Sequence, residues 1–112
     1  MGGKFSRDKG KRFEREIAGI LKDYGYDARR TAQNCGKSGD AADVVGLDGI
    51  HIECKRCEQI KIYDWMAQAT RDSSGTGRKP AVFFRKNHCE TLVTMKLTDW
   101  IELYREWNNG NL

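Results

Sequence analysis

Residues Gly39 to Lys55 read GDAADVVGLDGIHIECK, and little else in the chain constrains its folding as strongly. Two apolar runs, Val44-Val45 and Ile50 to Ile52, flank Asp48-Gly49, a dipeptide that closes tight β-hairpins. Asp43 opens the first run, and Glu53-Cys54-Lys55 closes the second. Side chains two apart on a strand point the same way, so Glu53 and Lys55 share a face. Val44, Val45, Ile50 and Ile52 are apolar enough to make both strands central. Carboxylates in central strands cost free energy unless they are paired or hold a cation. A solvated hairpin with a cross-strand charge pair is the plain alternative, and the central placement argues against it. Two carboxylates on neighbouring strands, with a lysine beside them, can hold a divalent cation next to an attacking water. That arrangement suits hydrolysis of a phosphodiester.

The hairpin register sets a condition on this chemistry. If Asp48 and Gly49 alone form the loop, Leu47 pairs with Ile50 and Asp43 pairs with Cys54. Asp43 then lies on the face opposite Glu53, and the site cannot form. The chemistry needs Asp43 level with Glu53, Gly46 opposite Ile50 and Val44 opposite Ile52. One extra residue achieves this, either in a three-residue Leu47-Asp48-Gly49 loop with Gly49 left-handed or in a bulge at Gly46. The three-residue loop is the favoured expectation.

At 112 residues, 38% of them apolar and only one a proline, the chain is expected to form a single domain over 1–112. A net charge of +4 and a pI near 8.9 fit a polyanionic partner. No stretch is long enough to span a membrane and no signal peptide is visible, so no membrane partner is expected. Four cysteines without a secretory signal point to a reducing, cytoplasmic setting.

The first fifteen residues carry Lys4, Arg7, Lys9, Lys11, Arg12 and Arg15 against Asp8 and Glu14. Such a basic arm supplies non-specific affinity for DNA, or serves as a frayed, solubilising terminus. Met1-Gly2 followed by Ser6 also fits an N-myristoylation pattern, a weaker reading that needs a host transferase. A helix is predicted from about Lys9 to Tyr24, with Phe13, Ile17, Ile20, Leu21 and Tyr24 as its apolar stripe and Gly25 as its C-cap. Glu14 and Glu16 flank that stripe on opposite sides, and helical geometry does not choose between them.

Tyr26 to Ala32 reads as a strand carrying Arg29 and Arg30. Gln33 to Gly39 then forms a polar loop, in which Lys37, Ser38 and backbone N–H groups could bind phosphate. A second helix is expected from about Tyr63 to Ser73. Its core face holds Trp65, Met66 and Ala69, and Gln68 is an accessory candidate for contact with the attacking water or a phosphate. The loop Ser73 to Lys79 brings Arg78 and Lys79 as further contacts to a nucleic-acid backbone. Ala81 to Arg85 and Thr91 to Met95 read as strands around a turn at Asn87-His88. Thr98 is the expected N-cap of a last helix, with Asp99 in its first turn. The Trp100, Ile101, Tyr104 and Trp107 face of that helix reads as core or dimer contact. The order of elements gives an α/β sandwich on a mixed sheet of about five strands.

Cys54, Cys57, His88 and Cys89 make a competing zinc set. Zinc needs cysteines freed into a loop so that their sulfurs converge. Cys54 sits in a strand and Cys57 has the other parity, so Cys54 is better read as a small core residue.

The chain resembles the archaeal-type Holliday junction resolvases of the PD-(D/E)XK nuclease superfamily over roughly Lys9 to Phe84. The resemblance lies in Lys9-Gly10-x-x-x-Glu14-Arg15-Glu16, Arg30 before a Ser/Gly loop, Ala42-Asp43-Val44-Val45 and Ile52-Glu53-Cys54-Lys55. It implies a restriction endonuclease-like sandwich and selects Glu14 over Glu16. Asp43, Glu53 and Lys55 take the catalytic positions, with Arg15, Arg30 and Ser38 matching the family's arginines and loop serine. The implied activity is structure-selective DNA hydrolysis with magnesium or manganese and no small-molecule cofactor. The metal would rest on Asp43, Glu53 and the Cys54 carbonyl, with Glu14 available for a second ion. Lys55 would orient or deprotonate the water, leaving a 5′-phosphate and a 3′-hydroxyl. A four-way DNA junction and a homodimer follow as expected partners. Two departures are plain: Ala42 replaces the proline before the aspartate, and beyond Lys55 the match is poor. A nicking or restriction-type nuclease acting on linear duplex and a non-catalytic DNA-binding module are the rival readings; clustered carboxylates near phosphate argue against the second.

Overall fold

A computed structural model of the chain describes residues 2–31 and 41–110. The elements run α1 (Gly2–Asp23), β1 (Arg29–Arg30), β2 (Val44–Val45), β3 (Ile50–Arg56), α2 (Ile62–Asp72), β4 (Lys79–Arg85), β5 (Leu92–Met95) and α3 (Leu97–Gly110). The five strands form one sheet in sequence order, with β3 and β4 parallel and every other neighbouring pair antiparallel. Parallel neighbours need a crossover, and α2 supplies it. The expected mixed sheet of five strands with flanking helices is therefore present. Among the described residues no helix is long and apolar enough to cross a membrane.

Alternation along β3 and β4 divides the interior between two helices. Ile52 and Cys54 face α1, where they pack with Phe13, Ile17, Ala18, Ala28 and Val44. Val82 faces α2, where Trp65 and Ala69 cover it and Trp65 meets Phe84 ring to ring at 5.7 Å. Cys54 is a core residue, as its parity predicts, and burial first, then the Asp43 charge, pushes its thiol far above the usual range. Cys57 and Cys89 are exposed, and no cysteine joins a cluster of metal donors among the described residues.

Several boundaries differ from expectation for local reasons. Helix α1 begins at Gly2 rather than near Lys9, because lysine and arginine are good helix formers and Lys4 pairs with Asp8 one turn on at 3.7 Å. The basic segment is thus helical rather than a frayed arm. The helix ends in a Schellman motif: Gly25 is left-handed (φ +99°), Tyr26 N–H reaches Leu21 C=O at 3.1 Å and Gly25 N–H reaches Lys22 C=O at 2.9 Å. Strand β1 holds only two residues, and the predicted end of that strand at Ala32 lies outside the described residues. Thr98 is not the N-cap of α3, since Trp100 N–H bonds to the Lys96 carbonyl and places Lys96 there. The aromatic face of α3 is no part of the core: no residue of that helix is buried.

The hairpin carries its extra residue at Gly46, not in the loop. Ile50 N–H bonds to Leu47 C=O at 3.1 Å, closing a two-residue turn in which Gly49 is left-handed (φ +81°). Val44 nevertheless lies opposite Ile52. From Val44 to Leu47 is three steps along the chain, whereas Ile50 to Ile52 is two, so the surplus sits just before the turn. Gly46 has φ +128°, and a Cβ there would lie 2.5 Å from the Ala28 Cα and 2.6 Å from the Asp27 carbonyl oxygen. No other residue type fits both the torsion and the space.

Candidate active site

The bulge sets the register that brings Asp43 level with Glu53, and there the ladder between β2 and β3 stops. Asp43 N–H bonds to Ile52 C=O at 2.9 Å. Its carboxylate Oδ2 accepts the Cys54 N–H at 2.8 Å, where a strand carbonyl would otherwise be. On the other side Thr31 N–H bonds to the Asp43 carbonyl at 3.1 Å, and Thr31 Oγ1 donates to the Ala42 carbonyl at 2.6 Å. The Asp43 side chain therefore lies at the edge of β3, in the plane of its hydrogen bonds. The register nevertheless leaves Asp43 level with Glu53, as the chemistry requires.

Glu53 and Lys55 face α2, and Gln68 joins them. The Lys55 ammonium donates to Gln68 Oε1 at 2.9 Å, and Gln68 Nε2 donates to Glu53 Oε2 at 3.1 Å. Lysine only donates and a carboxylate only accepts, so the glutamine amide has one orientation that satisfies both. The direct separation between Lys55 Nζ and Glu53 Oε2 is 4.0 Å. Gln68 is thus a clasp across the pair rather than a solvated helix residue. The second Glu53 oxygen, Oε1, lies 3.3 Å from His51 Nε2, and both side chains are almost wholly buried. Donor atoms of His51, Glu53 and Asp72 lie within 4.8 Å of one another. Sequence reading missed His51 and Asp72, although the parity argument already put His51 on the face of Glu53 and Lys55.

Glu14 enters from the α1 side. It is buried, while Glu16 is exposed. Arg30 Nε donates to Glu14 Oε1 at 2.8 Å; Arg30 Nη2 is buried without a partner among the described residues. Burial, then the Glu53 charge and more weakly Glu14, raise the Asp43 pKa from 3.8 to about 7, against the opposing pull of the Cys54 N–H and Lys55. Glu14, Asp43, Glu53 and Lys55 thus reach one locality from two sheet faces and one strand edge.

The basic residues divide. Lys9 and Arg12 line a cleft of about 200 Å³ with Phe13, Glu16, Arg56 and Arg85. Arg85 donates to Glu16 at 3.1 Å and its guanidinium lies 5.8 Å from the centre of the Phe13 ring. Arg56 and Arg85 were not singled out from sequence, where they are merely strand-end charges. Lys11 and Arg15 lie on the same helix, Arg15 exposed and Lys11 half-buried. Arg78 and Lys79 stand elsewhere: Lys79 pairs with Ile50, at the opposite end of β3 from Lys55, and bonds Glu102 at 2.8 Å. Lys37 and Ser38 lie outside the described residues.

Comparison with known proteins places this geometry in a family. The model of a family described as "Phage putative PDDEXK endonuclease" matches residues 5–111. Among solved structures, Hjc, a Holliday junction resolvase from the archaeal hyperthermophile Archaeoglobus fulgidus, aligns with a TM-score of 0.59 and 24% identity, covering 78% of this chain and 72% of that one. At that identity the likeness is one of fold, restriction endonuclease-like in both. A search of curated proteins found none that matches. Matched over nearly its whole length, the chain belongs to the PD-(D/E)XK family of phage endonucleases.

Proposed function

We propose that the protein is a metal-dependent endonuclease that hydrolyses phosphodiesters in branched DNA, in the manner of a Holliday junction resolvase. Glu14, Asp43, Glu53 and Lys55 are its catalytic residues in this reading. The observation that carries it is the Asp43 carboxylate seated on the Cys54 N–H, close enough to Glu53, Glu14 and Lys55 to feel their charges. A buried carboxylate that resists ionisation beside two others is an incomplete arrangement, and a divalent cation completes it. The donors are hard oxygens, which fit magnesium or manganese. Asp43 and Glu53 would hold the ion with the Cys54 carbonyl, which leaves β3 on the same edge as the Cys54 N–H. Glu14 is available to a second ion. When bound, the cation polarises a phosphoryl oxygen and makes a water more acidic.

The chain's own groups supply the remainder. Gln68 holds Lys55 and Glu53 in fixed relation, so the ammonium is aimed before substrate arrives. The Lys55 ammonium orients the attacking water, and hydrolysis leaves a 5′-phosphate and a 3′-hydroxyl. Lys9, Lys11, Arg12 and Arg15 on α1, together with Arg30, Lys37 and Ser38, would contact the DNA backbone. Symmetric cutting of a four-way junction calls for two copies related by a two-fold axis.

The fold likeness to a junction resolvase supports the branched substrate, while the matching family description specifies no DNA shape. A cleavage panel of four-way junction, flap and linear duplex with magnesium decides the point. Paired incisions confined to the junction are expected. Equal cutting of linear duplex would replace this reading with a nicking or restriction-type enzyme, and binding without cleavage under magnesium or manganese would leave only a binding module.

A further inference from the structure

Gln68 and Asp72 lie one turn apart on α2, and His51, Glu53 and Lys55 alternate along one face of β3. The helix lies over that face as the link between parallel strands, so the two sets meet in order. Lys55 and Glu53 meet on Gln68, then Glu53 and His51 lie beside Asp72. The Glu53 carboxylate stands in the middle with its oxygens turned to different partners. Oε2 accepts from Gln68 at 3.1 Å on the side of Lys55, and Oε1 faces His51 Nε2. The proposed catalysis uses the first side and gives the second no task.

Three features mark that second side as more than core filling. His51 is only 1% exposed, although a polar ring is costly to bury without a strong partner. Its Nε2 lies 3.3 Å from Glu53 Oε1, past the usual N–H···O range of about 2.7–3.2 Å. Two donors on one tetrahedral ion, each at about 2.0–2.1 Å, stand about 3.3–3.4 Å apart. Asp72 brings a second carboxylate within 4.8 Å of both. Among the described residues that carboxylate has no hydrogen bond or ion pair of its own. Two carboxylates converging beside a buried imidazole repel each other where water screens them poorly. Lys55 does not relieve this, since it is tied to Gln68 and sits 4.0 Å from the other Glu53 oxygen.

We propose that His51 Nε2, Glu53 Oε1 and the Asp72 carboxylate hold one borderline divalent ion, of the zinc and cobalt class. One imidazole with two carboxylates suits such metals, whereas the all-oxygen set around Asp43 suits magnesium. Two cation sites of different selectivity then share Glu53 through its two oxygens. Asp72 ends α2 and is half-buried, so it has room to close the remaining gap and gives the ion a way in from solvent. The site shares Glu53 with the catalytic reading but rests on these three donors alone.

The test titrates cobalt into the full chain carrying Asp43→Asn, in which the catalytic set has lost a ligand and all three donors remain. Visible absorption reads the bound ion, being strong in a four-coordinate site with a nitrogen donor and weak in octahedral oxygen. One cobalt per chain with the strong band is expected, unchanged by a large excess of magnesium. His51→Gln and Asp72→Asn should each weaken binding by at least about 10–100-fold, the cost of losing even a ligand's supporting group. Asp72→Asn keeps the shape of a half-buried side chain, so it tests the site should His51→Gln fail to fold. His88→Gln, at the chain's other histidine, should change nothing. A weak octahedral band, displacement by magnesium, loss of binding in His88→Gln, or full binding in His51→Gln or Asp72→Asn would each overturn the proposal. None of these readouts depends on cleavage, so a failure of the nuclease reading would not move them.

Discussion

Replacing Asp43 by asparagine should make the metal-free protein more stable, and only above mildly acidic pH. The Asp43 carboxyl has its pKa raised from 3.8 to about 7 in the fold, chiefly by burial and then by Glu53. The folded chain therefore holds this proton more tightly than the unfolded one. Between about pH 4 and pH 7 the fold binds more protons, so its stability falls as pH rises through that window and is level on either side. The difference, at 1.36 kcal/mol per pH unit, puts the cost of the ionised carboxylate at about 4 kcal/mol as a ceiling. Asparagine carries no charge, and its Oδ1 can still accept the Cys54 N–H now bonded at 2.8 Å. Half the ceiling, about 2 kcal/mol, raises Tm by about 8–10 °C in a domain of this size. Thermal melts in EDTA at pH 4, 6 and 8 measure it: no gain at pH 4, a partial gain at pH 6 and the full gain at pH 8. Magnesium should then raise the wild-type Tm and leave the variant's unchanged, as expected for a ligand that binds only the native state. A variant no more stable than wild type at pH 8, or equally stabilised at pH 4 and pH 8, would refute the crowded-carboxylate account.

Gly46→Ala should destabilise the fold by about 3 kcal/mol or more, because a Cβ at φ +128° meets the Ala28 backbone; chemical denaturation reads this directly, and a loss below 1 kcal/mol would contradict the bulge. Glu14→Gln should lower cleavage far more than Glu16→Gln, since Glu14 is buried on Arg30 whereas Glu16 is exposed and bonds Arg85; equal small losses would remove Glu14 from the site. Gln68→Ala unties Lys55 from Glu53 and should reduce kcat by about 10–100-fold with KM little changed, which single-turnover cleavage checks. Arg56→Ala and Arg85→Ala should each lower the slope of log affinity against log salt by about 1 if they meet phosphates; unchanged slopes would leave that cleft without DNA.

The local parts of this fold were legible because they follow from period and parity. Glu53 and Lys55 share a face by strand geometry, and Cys54 falls in the core for the same reason. What escaped are features decided by contacts distant in sequence. Glycine at positions 46 and 49 permitted either a bulge or a longer loop, and the approach of Ala28 to Gly46, invisible from one strand, favours the bulge. Gln68 was legible only as an accessory candidate for water or phosphate; that it ties Lys55 to Glu53 follows from α2 crossing β3. His51 was passed over although its parity was readable, since nothing local distinguishes it from an exposed strand histidine.

The last helix shows the same limit from the other direction. Its apolar spacing predicts a buried face, and that inference about burial is sound for a helix that must be stable. Periodicity says that a face is to be covered, not which chain covers it. A stripe read as core or dimer contact and found on the surface is therefore no failure of the hydrophobic pattern.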